Sequence, residues 1–264
     1  MDIFKQSLAP IAKEAWAEIN SRAEAVIKSY LTTRKSLLVQ GPMGLETTSI
    51  STGRLNLVEN SGSKDVKIGL YDVQSLMETR AKFQLSRWEL DNVIRGAKDI
   101  DLEALENAVK ELVLYEENTL YNGNKAAGIK GLIPTATKTI NLDGNPQQIL
   151  EKVSEAAISL ERAFAPKPFN LVVGKDLYTK LNQVLGAKLL RELIEQIIQG
   201  KVILSEAIDG GLLLPVKHPD IEFTVGQDYT IGYENNDDKV INLFIMNSYT
   251  LRVLDPNILI CFTL

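Results

Sequence analysis

His218, in the segment VKHPD, is the only histidine in the chain, and Cys261, in the apolar run ILICFTL, is the only cysteine. Any Ser–His or Cys–His relay would need His218 as its base. No GxSxG elbow accompanies it, so His218 reads as a solvent-exposed loop residue. One histidine and one cysteine make no zinc constellation. Cys261 has no partner for an intrachain disulfide, and among Ile, Leu and Phe it reads as a small buried hydrophobe in a reducing compartment. Neither a Walker loop nor GxGxxG is present, so no phosphate cradle is indicated. Among the carboxylates, Glu103, Glu106, Glu116 and Glu117 share one helical segment at surface spacing and read as a solvated face. A catalytic carboxylate pair needs no local motif and stays open. Trp88, in SRWELDN with Arg80 upstream, offers a ring on which a planar group could stack. The plainer reading is a buried or interface tryptophan. No catalytic or metal-ligating set emerges.

The element that must organise these residues runs from Ala81 to Gly123. Its second half is a long helix. Asp101 caps it, and Glu103 sits at the positive end of the helix dipole. Leu102, Leu105, Val109, Leu112, Val113 and Leu120 recur at three- and four-residue steps and make one apolar face. Asn122-Gly123 ends it, with glycine in the left-handed conformation. At 1.5 Å per residue the rod is roughly 30 Å long, a spine for other elements to cross.

Upstream, residues 1–9 read as an irregular arm. Pro10 suits the first turn of a helix over Ile11 to Leu31, whose stripe is Ala12, Trp16, Ile19, Ala23, Val26 and Tyr30, widened by Ile27 and Leu31. SLLVQGPMG reads as a strand and a turn. Residues 45–80 are rich in Thr, Ser and Gly, and Leu55, Leu57, Val66, Ile68 and Leu70 flank a polar turn from Glu59 to Lys64. That is a hairpin pattern. With no third strand in view, it packs either on another subunit or as a sheet edge in its own domain.

Downstream, Asn145-Pro146 opens a helix over Gln147 to Ala165, stopped by Pro166 and Pro168. FNLVVG is a short buried strand. The segment 175–200 is helical on both sides of a break near Leu185-Gly186-Ala187, and KVILSEAI and GGLLLPV are further strands. Strands alternating with helices indicate an α/β unit over 135–225. Three late strands follow, the last of them ILICFTL, so the parts before 135 and after 225 form one domain with the middle unit inserted.

With 264 residues, 45% hydrophobic, the chain has material for a full core and one or two domains. A net charge of -5 argues against nucleic-acid or anionic-membrane partners. MDIFKQSLAP carries no apolar leader region, and no apolar run approaches the roughly 18 residues of a membrane span. A cytoplasmic protein is expected.

Six stretches stand in order across nearly the whole chain: SLAPIAKEAWAEINSRA, RKSLLVQGPMG, RWELDNVIRG, GIKGL, GQDYTIGYE and LRVLDPNILICF. In these the chain resembles the encapsulin shell proteins, bacterial nanocompartments with the Hong Kong 97 phage capsid fold. The resemblance implies an α+β fold. Residues 1–44 would hold the N-terminal helix and the start of a P domain, 45–78 an extended loop, and 79–134 the P domain with its spine. Residues 135–225 would be an A domain, and 226–264 the last P-domain strands. It implies a self-assembling icosahedral shell, of the smallest T=1 arrangement for a chain this short, that encloses a cargo enzyme. The cargo could be a ferritin-like protein, which would make the compartment an iron store, or a dye-decolourising peroxidase. Its C-terminal peptide would enter a pocket lined by Ile27, Tyr30, Arg34, Leu38, Ile231 and Tyr233. Many members have an acidic residue where this chain has Leu38, which alters the expected pocket polarity. The loop Val184, Leu185, Gly186, Ala187 and Lys188 would line a fivefold pore. Some members stack a flavin on a tryptophan at the position of Trp88, near Arg80; no cofactor is required. The alternatives are a phage major capsid protein and, from a different class, a soluble α/β enzyme.

Overall fold

A computed structural model of the chain describes residues 3–58 and 66–264. After a short arm with a 3-10 turn at Gln6–Leu8 come α1 (Lys13–Tyr30), β1 (Leu38–Gln40), β2 (Ser49–Val58), β3 (Ile68–Ser75), β4 (Met77–Ser86), α2 (Arg87–Ile94) and α3 (Glu103–Asn122). The middle holds α4 (Leu132–Thr135), β5 (Lys138–Asn141), α5 (Pro146–Arg162), β6 (Phe169–Val173), α6 (Lys175–Leu181), β7 (Val184–Leu185), β8 (Lys188–Leu189), α7 (Leu190–Ile198), β9 (Val202–Leu204) and β10 (Gly211–Pro215). The chain then runs through β11 (Ile221–Val225), β12 (Thr230–Asn236), β13 (Val240–Val253) and β14 (Ile260–Thr263).

Helix α3 begins where the sequence places it, because Asp101 Oδ1 accepts the Glu103 N–H at 2.9 Å. It ends at Gly123 with φ 86° and ψ 168°, a positive φ but an extended ψ rather than the left-handed helical one. The glycine is needed for a second reason: a Cβ there would lie 2.7 Å from the Gly131 nitrogen. Helix α1 starts at Lys13, so Pro10 lies outside it, and α5 stops at Arg162, short of Ala165. The α5 start follows its signature: Asn145 accepts from the Gln148 N–H, and the Gln148 side chain accepts from the Asn145 N–H.

Two five-stranded sheets organise the body. In the first, β13 is the long central strand. Along one side it pairs antiparallel with β4; along the other it pairs with β12 and then with β11, which in turn pairs parallel with β1. Helices α1 and α3 cover this sheet, and their apolar stripes meet it through Ile19, Leu105, Val109, Val113, Leu243 and Ile245. The second sheet runs β5-β14-β10-β6-β9, and its core is shared with α5, α6 and α7. The sheets redraw the sequence division at 225. Strand β11, grouped with the middle unit, belongs to the first sheet, and β14, grouped with the late strands, belongs to the second. Both are short apolar strands, and apolarity alone does not tell a strand which sheet it joins.

Strands β2 and β3 form a two-stranded sheet of their own. Leu55, Leu57, Ile68, Leu70, Tyr71 and Val73 on it are all exposed. The turn read at Glu59 to Lys64 lies outside the described residues.

One glycine decides the packing at the rim of the first sheet. Gly232 on β12 pairs with Phe244 on β13, and a Cβ at Gly232 would fall 2.2 Å from the Phe244 ring. Phe244 is only 2% exposed and has nowhere to move. Gly232→Ala is expected to destabilise the protein by about 1–3 kcal/mol, the usual cost of overpacking, read as a lower urea midpoint.

Candidate peptide-binding site

Helix α1 and strand β12 flank a cavity of about 380 Å³. Its lining includes Gln6, Ala23, Ile27, Arg34, Tyr229 and Ile231. Three of the six residues expected there, Ile27, Arg34 and Ile231, are brought together. The other three point elsewhere. Tyr30 packs under Lys110, whose Nζ sits 4.5 Å from the ring centroid. The Tyr233 hydroxyl donates to Asn236, and Leu38 lies on β1, paired with Glu222 and exposed. Missed were Gln6, Tyr229 and Asp228, although Asp228-Tyr229 lie inside the quoted stretch GQDYTIGYE. Helix periodicity says nothing about which strand end faces a helix, so these could be read only from the motif.

The floor of the cavity is a buried polar network, which corrects the reading of Glu116 and Glu117 as a solvated face. Both are completely buried. Arg34 Nε donates to Glu116 at 3.2 Å, and its Nη1 donates to Asp228 at 2.8 Å. The Tyr229 hydroxyl and the Asn247 amide also donate to Glu116. Glu117 accepts from the Thr33 N–H at 2.9 Å and from the hydroxyls of Thr32 and Thr33. Arg34 is therefore already committed and only 16% exposed, so it is not free to meet a peptide carboxylate. Its guanidinium also lies 5.0 Å from the Tyr229 ring centroid. Burial pushes the Glu116 carboxyl up, and the adjacent Arg34 charge and the Tyr229 hydroxyl pull it back. Burial likewise raises Glu117, opposed by the Thr32 and Thr33 hydrogen bonds. Helical surface spacing suggests a solvated face because it counts polarity, not partners.

The other singled-out residues lie apart from this cavity. The loop from Val184 to Lys188 is a small hairpin rather than a simple helix break: β7 pairs with β8, Gly186 has φ +66° and, with Ala187, makes the turn, and Val184 is exposed. Trp88 stands at the start of α2, 67% exposed rather than buried, with the Arg95 guanidinium 5.4 Å from its ring. Arg80 lies on β4 with its guanidinium 4.3 Å from the Phe244 ring. Trp88 and Arg80 thus stand on two consecutive elements, α2 and β4. His218 is largely buried, its side chain 13% exposed, and Nδ1 accepts the Asp220 N–H at 3.2 Å, correcting the exposed reading. Cys261 is buried, and burial pushes its thiol up to about 11. Among the described residues, no group of three or more His, Cys, Asp and Glu could hold a metal ion, and no helix is long and apolar enough to cross a membrane.

Similar solved structures are particle and capsid subunits. A virus-like particle from Pyrococcus furiosus matches with a TM-score of 0.69 over 93% of this chain and 98% of that one, at 20% identity. The capsid of Myoviridae phage XM1 matches with a TM-score of 0.59 over 88% and 90%, at 11% identity. The fold is thus the Hong Kong 97-type capsid fold: a P domain built on the spine helix, an A domain and an extended loop. The family model described as "Encapsulating protein for peroxidase" matches residues 1–250. A type 1 encapsulin shell protein of Mycobacterium tuberculosis is 31% identical over 95% of both chains. One from Rhodospirillum rubrum is 30% identical over 97% of this chain and 94% of its own. The chain belongs to the encapsulin shell-protein family, whose members are structural proteins rather than enzymes.

Glu117 supplies a pH test of the buried network. Its carboxyl is raised above the ordinary 4.5, so between the two values the folded state holds the proton that the unfolded state has lost. Its contribution to stability is fully present below the ordinary value and is lost as pH rises through the raised one. Glu117→Gln removes this titration. The stability of the unmodified protein relative to Glu117→Gln should therefore decline as pH rises across that window; urea unfolding at a series of pH values checks it, and a difference that grows with pH refutes it.

Proposed function

We propose that the chain is the self-assembling subunit of an icosahedral encapsulin shell, and that the shell encloses a cargo enzyme by binding a short C-terminal peptide of that enzyme. The observation that carries the assembly is the hairpin of β2 and β3. It exposes apolar residues on both faces, Leu55, Leu57, Tyr71 and Val73 on one and Ile68 and Leu70 on the other, of a sheet with no third strand among the described residues. Such a hairpin is marginal alone in water, and a patch of this kind marks an interface. A neighbouring copy of the same hairpin or body covers it, and repeated heterologous contacts close into a shell. The relatives named as shell proteins, aligned over nearly the full chain, support the same reading. The T=1 arrangement is the simplest for a subunit of this size, with the Val184–Lys188 hairpins gathered at the fivefold axis. The acidic net charge disfavours a nucleic-acid content, and the cytoplasm is the compartment such a shell serves.

The cavity between α1 and β12 supports the cargo part of the reading. Ile27 and Ile231 give it apolar walls, and alternate side chains of an extended peptide would fill it. A ferritin-like protein and a dye-decolourising peroxidase are the cargo classes that fit an enclosing shell. Leu38 plays no part in this cavity, so it has no direct bearing on which peptide the cavity accepts.

Negative-stain electron microscopy of the purified protein should show uniform hollow particles; a field of small separate molecules at all concentrations overturns the assembly. Cargo capture is tested at Ile27, which borders the cavity without being a fully buried core residue. Ile27→Asp places a charge against apolar walls and should leave particles intact while abolishing cargo co-purification. Unchanged loading removes the cavity from the cargo reading. Ile231 is a poorer probe, because at 4% exposure its replacement tests the core as much as the cavity.

A further inference from the structure

Strand β12 ends its sheet, and among the described residues β13 is its one strand partner. Its outward edge presents the Ile231 carbonyl and the Tyr233 N–H. Neither is left to solvent. The Tyr233 N–H donates to the Phe4 carbonyl at 2.7 Å, and the Gln6 side-chain amide donates to the Ile231 carbonyl at 2.6 Å. The Phe4 ring stacks on Phe244, with centroids 6.4 Å apart and planes 24° from parallel. The N-terminal arm thus lies along the strand edge as an added strand would.

It is an imperfect strand. The Phe4 carbonyl meets one edge group through the main chain, while the other is met by a side chain, that of Gln6. Between Phe4 and Gln6, Lys5 adopts a left-handed backbone, φ 47° and ψ 27°, which a non-glycine residue adopts at a cost. Leu8 is 68% exposed and anchors nothing. Gln6 also lines the cavity that contains Ile27 and Ile231, so the arm and that cavity form one continuous surface. A regular extended peptide would pair with both edge groups through its backbone. It would set one apolar or aromatic side chain over Phe244 and pass the next inward side chain into the cavity where Gln6 now reaches.

We propose that residues 3–8 are a resident, exchangeable occupant of the β12 edge, and that the cargo's extended peptide, on the cargo reading above, enters by displacing them. The edge is then a gated surface. In the empty state the arm satisfies its backbone groups and keeps a neighbouring copy from pairing with it. In the loaded state a better strand takes its place and the arm swings free.

The probe is a fluorescent synthetic peptide with the sequence of residues 3–9, IFKQSLA. Assembled protein lacking residues 2–8 should bind it, and the same peptide with alanine in place of Phe4 and Gln6 should not bind. The full chain should bind it at least about tenfold more weakly, because the resident arm competes and only the fraction with a free edge is competent. Equal binding to both proteins, or none to the shortened one, overturns the proposal. Should the shortened chain not assemble, the full chain with Phe4→Ala and Gln6→Ala replaces it. Amide hydrogen exchange across β12 should then be faster than in the unmodified protein and slow again when the peptide is added. Unchanged exchange overturns the proposal equally. Cargo co-purification with the unmodified chain is scored separately: its absence removes the cargo reading, yet the exchange of arm for peptide at the edge is still measured.

Discussion

The structure depends on two carboxylates that are completely shut off from water. Glu116 and Glu117 sit side by side on α3, and between them they gather three other parts of the chain. Arg34, Thr32 and Thr33 come from the segment after α1, Asp228 and Tyr229 from the approach to β12, and Asn247 from β13. Leaving one member of such a buried pair uncompensated costs about 3–5 kcal/mol, while a whole domain is stable by about 5–15 kcal/mol. These partners are therefore not interchangeable with water. Apolar packing holds α3 against the sheet, and nearly any close fit would satisfy it. The network is what selects one rotation of α3 and one course for residues 32–34, because every donor must find its acceptor at once. The cavity beside β12 inherits its shape from that selection, since Arg34 and Tyr229 are both floor and fastening.

That dependence explains which parts of the molecule could be read in the sequence. The spine helix, the hairpin strands and the α5 start were legible, because each is written in local spacing and end signals: Asp101, Asn145-Pro146, the alternating Leu55 and Leu57. Ile231 stands in a stretch shared with the encapsulin family, and Ile27 is placed at the cavity only by the position that the resemblance implies for it. The burial of Glu116 and Glu117 was not legible. Their partners are about 80 to 130 positions away, and a glutamate on a helix looks the same whether it faces water or an arginine. For the same reason the pairing of Arg34 with Glu116 and Asp228 was not legible either. The exchange of β11 and β14 between sheets is also a long-range outcome, decided by pairing with β13 and β10 rather than by anything within five residues.

Membership of a shell-forming family gives this division of labour a physical sense. A subunit without a catalytic set has no need of mobile loops around a reacting group. It needs a body that does not deform when several neighbours push on it. A satisfied polar network at the centre of a sheet–helix sandwich supplies that, because its hydrogen bonds are directional while apolar contacts slide. The hairpin has the opposite character. It projects from the body with its apolar residues uncovered, held at its root by contacts such as that from Arg252 to the Ser51 carbonyl.

Strand edges show the same contrast and carry it one step further. An unpaired edge is a template for any passing strand, and folded proteins blunt it. Here β1, β5 and β9 end their sheets with only three or four residues. Strand β12 is seven residues long, and it is the edge the N-terminal arm covers. Strands β2 and β3, ten and eight residues long, carry their exposed apolar residues away from the body. A chain that must meet many copies of itself without aggregating has to separate the edges that may pair from those that must not. Length limits β1, β5 and β9 and a self-segment covers β12, while β4, ten residues long and paired with β13, is an edge that length does not limit. Because that segment meets the edge partly through a side chain, Gln6, and bends at Lys5 into a left-handed backbone, it blocks accidental pairing without excluding a strand that fits better.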